Sequence, residues 1–221
     1  MRRLLPVFAL VTAVLNSRAD ILGLHWQVYL FKPLATLALA AIVLHDRGAS
    51  RYRMWIGAGL VASLAGDILL MLPMGLFVHG LAAFLVGHLC YIRAFSGDGA
   101  GLRAPLLIGV PVFAAAIAML AYLWPSLGAM RLPVVCYALA ISTMSWQAIA
   151  RWWVRRTNDA AFAAAGSLFF LASDSALAAN RFAAPFASAG AVVLVTYYAA
   201  QWAITRSASG PMAGKTDPQR A

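Results

Sequence analysis

Long apolar segments recur along the whole chain, separated by short polar stretches. Most contain roughly 18 or more residues with few or no charges, which is the length that a helix needs to cross the hydrocarbon core of a bilayer. Hydrophobic residues make up 63% of the chain and charged residues 11%. A soluble domain is typically about 45–50% apolar and about 25% charged. The sequence therefore predicts an all-α fold, a polytopic membrane helical bundle, and excludes a soluble domain.

We predict eight transmembrane helices. They cover residues 3–17, 26–44, 54–72, 75–95, 104–124, 131–150, 160–180 and 184–205. The first could imitate a signal peptide, because Arg2 and Arg3 precede an apolar run. Residues 16–20 offer no small-x-small cleavage site, so we interpret it as a retained signal-anchor helix. The spans form one transmembrane domain, residues 1–206, and the polar segment 207–221 is predicted to be a disordered cytoplasmic tail.

The Lys and Arg residues predict the orientation of these helices. Thirteen of the 17 fall on one set of alternate loops and ends, three fall on the other set, and Lys32 lies inside a span. Because basic loops stay in the cytoplasm, both termini are predicted to be cytoplasmic. The Ala- and Arg-rich composition and the short loops favour a bacterial inner membrane. The net charge of +10 is spread over the loops, so we expect contacts with membrane lipids and no nucleic-acid partner.

Two carboxylates interrupt the apolar segments. All seven acidic residues are Asp, and Asp67 and Asp174 lie in the similar segments LAGDILL (64–70) and LASDSAL (171–177). A charge at such a depth costs at least a few kcal/mol unless it is paired, protonated or hydrated, which makes it a candidate functional group. Spans three and seven would run in the same direction, so the duplication also suggests a four-plus-four internal repeat. The alternative for each Asp is a structural hydrogen bond between helices.

Lys32 is predicted to share the depth of both carboxylates. With the orientation above and a rise of about 1.5 Å per residue, all three side chains lie roughly 8–9 Å below the outer membrane face. A lysine between two carboxylates would offset much of their burial cost and hold one of them ionised. In the alternative interpretation, Lys32 extends to the headgroups and Pro33 only kinks its helix.

Further polar residues lie in the later spans. His88 is a candidate catalytic group, although a single His on an apolar helix is more often a packing residue. Arg181 is expected at the outer end of span seven, where it could bind a phosphate or simply set the topology. The candidates for substrate binding are Asn180, Arg181, Tyr197, Tyr198 and Gln201.

The sequence predicts no metal and no cofactor. It has only four His residues and no Glu, and Cys90 and Cys136 lie in apolar segments without zinc-binding spacing or a disulfide pattern. It contains no nucleotide-binding loop, nucleophile elbow or zinc-protease motif. Any chemistry would therefore depend on Asp, His, Lys and water.

The same polar residues carry a family resemblance, which extends from about residue 28 to 204. The chain resembles the YhhN family of integral-membrane lysoplasmalogenases. The matching segments are Lys32-Pro33-Leu34, Gly66-Asp67-Ile68-Leu69-Leu70, Gly80-x-x-x-Phe84-x-x-x-His88-x-x-Tyr91, residues 137–144, Ser173-Asp174-Ser175-x-Leu177-Ala178-x-Asn180-Arg181-Phe182 and Thr196-Tyr197-Tyr198-x-x-Gln201. The run from Ser173 to Phe182 is the most specific of them.

The resemblance implies hydrolysis of the vinyl ether bond of lysoplasmalogens, which are lysophospholipids, to a fatty aldehyde and glycerophosphoethanolamine or glycerophosphocholine. This reaction needs a proton donor to carbon and then attack by water on an oxocarbenium ion, and two carboxyl groups could serve both steps. By hypothesis Asp67 and Asp174 share these roles, and Lys32 holds their protonation states apart. Four points stay open: which Asp is the acid, which headgroup is preferred, which oligomeric state the protein adopts, and whether it recruits a metal.

A small membrane transporter or lipid carrier is the alternative function. In that case Lys32, Asp67 and Asp174 would form a proton or substrate relay. The two functions differ in one test, because an enzyme releases aldehyde in detergent solution without a membrane gradient and a carrier does not.

Overall fold

Eight α-helices follow one another along the chain in the computed structural model, which describes residues 4–45, 50–97, 99 and 103–209. Short turns connect them, and no strand occurs within these described ranges. The helices are α1 Leu4–Ile21, α2 His25–His45, α3 Arg51–Met71, α4 Phe77–Ser96, α5 Val110–Leu123, α6 Arg131–Arg155, α7 Asn158–Phe182 and α8 Ala189–Ala208. The predicted all-α bundle is confirmed.

Seven of the eight helical stretches are long and apolar enough to cross a membrane. The exception is α8, because its sequence includes several polar residues that are buried inside the bundle, Tyr197, Tyr198, Gln201 and Thr205. Packing against other helices, and not contact with lipid, accommodates these side chains. The described residues therefore support seven candidate spans, and the eighth span remains a prediction.

Helix boundaries differ from the predicted spans where proline or a buried charge intervenes. The span predicted at 104–124 begins as a short 3₁₀ helix, Leu106–Gly109, because Pro105 and Pro111 remove amide donors on either side of it. The span predicted at 131–150 continues as α6 to Arg155. Arg151 is only 4% exposed and pairs with Asp159 at 2.7 Å, so the helix continues past a charge that hydropathy would place in water.

The last helix reaches beyond the predicted domain boundary at residue 206. Helix α8 extends to Ala208, where Ser207 is buried and shares a 2.8 Å hydrogen bond with Tyr52. Residues 210–221, which contain most of the predicted tail, lie outside the described ranges. Residues 1–3, which hold the paired arginines of the predicted signal anchor, also lie outside them.

Two helix pairs pack most closely, α3 with α4 and α7 with α8. Each contact contains a glycine at the interface. A Cβ atom on Gly66 would meet the ring of Phe84, and one on Gly166 would meet the carbonyl oxygen of Ala200. Small residues let helix backbones approach closely in membranes. The two Asp-bearing helices thus have similar partners, and the internal repeat remains a prediction.

Candidate functional site

A cavity of about 100 Å³ lies inside the bundle near the end at which α4 begins and α7 ends, here called the Phe77 end. Residues of every helix from α2 to α8 line it. A single water needs roughly 10–15 Å³, so the cavity can hold several waters or a short length of chain with water beside it. Most of its lining is apolar, and its charged lining residues are Lys32, Asp67 and Asp174.

Asp67 accepts hydrogen bonds from two hydroxyl groups and faces an ammonium. Thr36 Oγ1 donates to its Oδ2 at 2.8 Å, and Tyr197 Oη donates to the same oxygen at 2.6 Å. Lys32 Nζ lies 3.4 Å from the other oxygen, Oδ1. Lys32 and Thr36 reach one carboxyl group because they are four residues apart and so share a face of α2. The Asp67 side chain is only 1% exposed, and these three donors replace the hydration that burial removes.

A chain of hydrogen bonds orients the tyrosine that contacts Asp67. Gln201 Nε2 donates to Tyr197 Oη at 3.0 Å, and Gln201 Oε1 accepts from Tyr91 Oη at 3.0 Å. An amide nitrogen can only donate, so the hydroxyl proton of Tyr197 points to Asp67. Tyr91 and Gln201 are both fully buried. All the polar groups that contact Asp67 within the described residues are donors, so Asp67 acts as an acceptor in each contact.

Asp174 belongs to a second cluster on α4, α6 and α7. Tyr137 Oη donates to Asp174 Oδ2 at 2.5 Å, and His88 Nε2 lies 2.8 Å from the same hydroxyl oxygen and 3.5 Å from Asp174 Oδ2. His88 is completely buried, and its Nδ1 has no hydrogen-bond partner among the described residues. Asp174 is 17% exposed and lines the cavity. This cluster can hold a proton on Asp174 or on His88, with the Tyr137 hydroxyl between them.

Aromatic rings connect the two carboxyl clusters to each other. Phe170 packs edge-on against His88, with ring centroids 4.8 Å apart, and against Tyr197 at 5.5 Å. Phe84 packs against both Phe170 and Tyr197 in the same geometry. These fixed edge-to-face contacts hold the imidazole and the phenol in place and exclude water on that side.

The structure brings some of the predicted site residues together and places others elsewhere. Lys32, Asp67, Asp174 and Tyr197 line the cavity. His88 and Gln201 are not among the lining residues of the described chain, and each lies one hydrogen bond behind a lining tyrosine.

The other three predicted residues are not among the lining residues, and their described contacts are with other side chains or the backbone. Tyr198 accepts a hydrogen bond from Asn16 of α1 at 3.0 Å. Asn180 Oδ1 accepts from the backbone amide of Phe186 and so holds the turn after α7. The Arg181 guanidinium lies over the ring of Phe77, 4.8 Å from its centroid.

Sequence reasoning missed two residues in these clusters, Thr36 and Tyr137. Thr36 is four residues after Lys32, and helical spacing alone would have placed it on the same face. Tyr137 is a buried tyrosine within an apolar helix, and a side chain of intermediate hydropathy leaves no mark on a hydropathy profile. Its position six residues into α6, at the Phe77 end, is the signal that could have identified it.

Within the described residues, no three His, Cys, Asp or Glu side chains lie together as a metal site would require. Cys90 and Cys136 are both free. The titratable side chains that line the cavity are Lys32, Asp67, Tyr137, Asp174 and Tyr197.

Comparison with known proteins identifies the family of this chain. The sequence model of the YhhN family matches residues 27–208. Lysoplasmalogenase TMEM86B of Homo sapiens is 35% identical over 88% of this chain and 80% of its own length. The lysoplasmalogenase of Mycobacterium bovis is 33% identical over 78% of this chain and 66% of its own, and the membrane protein YhhN of Escherichia coli O157:H7 is 28% identical over 89% and 94%.

No solved structure matches the chain. The family match nevertheless contains both carboxyl clusters, from Lys32 to Gln201. The resemblance found in the sequence is confirmed: this protein is an integral membrane protein that belongs to the YhhN family.

Proposed function

We propose that this protein is a membrane-embedded hydrolase that cleaves the vinyl ether bond of lysoplasmalogens. The products would be a fatty aldehyde and glycerophosphoethanolamine or glycerophosphocholine. The observation that carries the proposal is the pair of differently bonded carboxyl groups, Asp67 and Asp174, on one mainly apolar cavity. The names of the relatives, which are lysoplasmalogenases in humans and mycobacteria, support the choice of substrate.

The reaction begins with proton transfer to carbon. An acid protonates the β-carbon of the vinyl ether, and the double-bond electrons leave an oxocarbenium ion on the carbon next to oxygen. Water adds to that carbon and loses a proton to a base, which gives a hemiacetal. The hemiacetal then separates into the aldehyde and the glycerol hydroxyl, so one water is consumed. The chemistry needs one carboxylic acid and one carboxylate.

Asp174 is assigned the role of acid. Its Oδ2 accepts from Tyr137, whereas its Oδ1 makes no hydrogen bond within the described part of the chain. The side chain is partly exposed to the cavity. A proton on Oδ1 would therefore be available to a substrate carbon. We assign His88 the role of supplying a new proton to Asp174 through the Tyr137 hydroxyl, because His88 Nε2 contacts the tyrosine oxygen.

Asp67 is assigned the role of carboxylate. Two hydroxyl donors and the Lys32 ammonium face its oxygens, an arrangement that fits the ionised form before the water attacks. A negative charge there would stabilise the oxocarbenium ion and accept the proton of the attacking water. Thr36 and Gln201 would act as positioning residues, Thr36 on Asp67 directly and Gln201 through Tyr197.

The remaining predicted residues fit supporting roles. Arg181 lies at the Phe77 end, where a phosphate headgroup would reach it from the cavity. Tyr198 and Asn180 hold α1 and the turn after α7, so we assign them structural roles and no substrate contact.

We further propose that α8 is an eighth span, that both termini are cytoplasmic and that the protein resides in a bacterial inner membrane. Twenty residues of helix extend about 30 Å, which is the thickness of the hydrocarbon core. The distribution of Lys and Arg supports the orientation. The Phe77 end then faces the outer leaflet. A C-terminal reporter that is active only in the cytoplasm should be active, and reporters in the loops after α1, α3 and α7 should be inactive.

The test of the function uses purified protein in detergent and two lysolipids that differ in one double bond. We expect aldehyde release from the vinyl ether lysolipid and none from the saturated ether lysolipid, since only the first can form an oxocarbenium ion by protonation. A transporter or carrier would release no aldehyde from either. Equal cleavage of both lipids would contradict the mechanism, because it would require direct attack on an ether.

A further inference from the structure

One face of α5 lines the cavity over two helical turns. The lining residues on this helix are Ala116, Met119, Leu120 and Leu123. Their spacing of three, four and seven residues defines a single stripe on a helix. The stripe is entirely apolar, and it lines the same cavity as Lys32, Asp67 and Asp174.

Helix α5 is attached to its neighbours on one side. It packs against α6 and, more lightly, against α7. Near its first turn, Phe113 contacts Trp146 of α6, with ring centroids 6.3 Å apart. At its last residue, Leu123 joins a separate apolar cluster with Leu127 and Val134. Met119 and Leu120 pack against this cluster, and the whole stripe lines the cavity together with Leu81 and Phe84 of α4.

The Phe77 end of the cavity is closed by side chains. Phe77 of α4 and Phe182 of α7 meet edge-on, with centroids 5.7 Å apart, and Arg181 covers Phe77. The Leu123 cluster packs against Phe182 and joins α5, α6 and the segment between them. Helices α4 and α5 both line the cavity, and within the described residues neither is a main packing partner of the other. The outward face of α5 there is turned to the hydrocarbon region, where Ile117 is 65% exposed.

We propose that the stripe on α5 is the binding site for the hydrocarbon tail of a single-chain lipid, which enters sideways from the bilayer between α4 and α5. The inference rests on the proposed function, because the bond to be cleaved must lie beside Asp67 and Asp174 while the tail lies on the stripe. An apolar stripe without polar atoms binds a chain by burial alone, so each methylene in contact adds to affinity. Ala116 has the smallest side chain of the stripe, and this leaves room for the tail where it passes α5.

Ala116→Phe tests the site, with Ala118→Phe as a matched control. Residues 116 and 118 are two apart on one helix, hence on nearly opposite faces, and Ala118 is exposed toward lipid. A phenyl ring at residue 116 would displace about three methylene groups of the lipid tail, and the loss of each should lower affinity about fourfold. We expect KM for a long-tailed vinyl ether lysolipid to rise about 60-fold, kcat to change little, and a short-tailed lysolipid to be turned over as by the wild type.

A second readout does not need turnover. A lysolipid with a diazirine in the middle of its tail should label α5 of the wild type on irradiation, at or beside Ala116 and Met119. Ala116→Phe should abolish this labelling and Ala118→Phe should retain it.

The outcomes separate the two proposals. Absence of aldehyde from the wild type together with labelling of α5 would overturn the hydrolase and keep the tail site. Equal KM values for Ala116→Phe and Ala118→Phe at both tail lengths, or labelling that falls elsewhere, would overturn the tail site and leave the hydrolase intact.

Discussion

Replacement of Lys32 by Met would remove the cation that faces Asp67. The carboxyl group is 1% exposed, and Lys32 Nζ is 3.4 Å from its Oδ1. Removing one partner of a buried ion pair lowers the free energy of unfolding by about 3–5 kcal/mol, because the remaining charge is left uncompensated. Two hydroxyl donors stay on Oδ2 and Lys32 is itself 16% exposed. We therefore expect the lower end of that range, about 3 kcal/mol.

This loss of stability is measurable as a shift in Tm. For a chain of this size 1 kcal/mol corresponds to about 2–4 °C, so Lys32→Met should unfold about 6–12 °C below the wild type in detergent. Asp67→Asn removes the charge that needs compensation. The double variant Lys32→Met/Asp67→Asn should therefore unfold within about 1 kcal/mol of Asp67→Asn alone, a coupling of about 2 kcal/mol.

Arg18→Met is the matched control, since Arg18 is an exposed cation in the last turn of α1. It should change stability by no more than about 0.5 kcal/mol. If Lys32 only extended to the headgroups, Lys32→Met would unfold at the wild-type temperature. That result, or a double variant whose loss equals the sum of the single losses, would refute the buried ion pair.

Two further predictions concern the acid cluster and the helix contacts. Tyr137→Phe removes the hydroxyl between His88 and Asp174, which donates to the carboxylate that forms when Asp174 gives up its proton. The kcat should therefore fall about 10- to 100-fold, as expected for a lost hydrogen bond to a charged group, with KM nearly unchanged and the pH profile of kcat altered. Steady-state kinetics over a pH series would test this, and an unchanged profile would count against the relay. Gly166→Val places a side chain against the carbonyl of Ala200 and should lower the free energy of unfolding by about 1–3 kcal/mol. The control Ala165→Val lies on the exposed face of α7 and should leave stability unchanged. Equal Tm values for the two variants would contradict the close packing of α7 on α8.

The sequence predicted the charges of the site better than their partners. Asp67, Asp174 and Lys32 stand out because a charge in an apolar segment is costly, and their shared depth already indicated one cavity. The side chains that contact these charges could not be predicted from hydropathy. Asp174 pairs with Tyr137 and His88, whereas Lys32 pairs with Asp67. The contacts between side chains depend on the rotation and tilt of each helix, and a hydropathy profile gives no information about either.

Helix ends were predictable only where polarity changes at the end. Helices α2 and α4 begin and end within two residues of the predicted spans. Helix α5 begins six residues late, because the apolar residues before it form a 3₁₀ helix beside a proline. Helix α6 extends past Arg151, because the Arg151 guanidinium pairs with Asp159 and lies over the ring of Tyr52 inside the protein. Local backbone geometry and tertiary partners decided both cases.

The measurement that most directly tests the two-carboxylate site is aldehyde release from a vinyl ether lysolipid by three Asn variants. Asp67→Asn and Asp174→Asn should each lower kcat by at least about 10³-fold, since each removes a group that contacts the reacting atoms. Both should still bind the lysolipid. Asp20→Asn changes an exposed carboxyl group at the end of α1 and should retain wild-type kcat. Wild-type turnover by either Asp67→Asn or Asp174→Asn would contradict the proposed site.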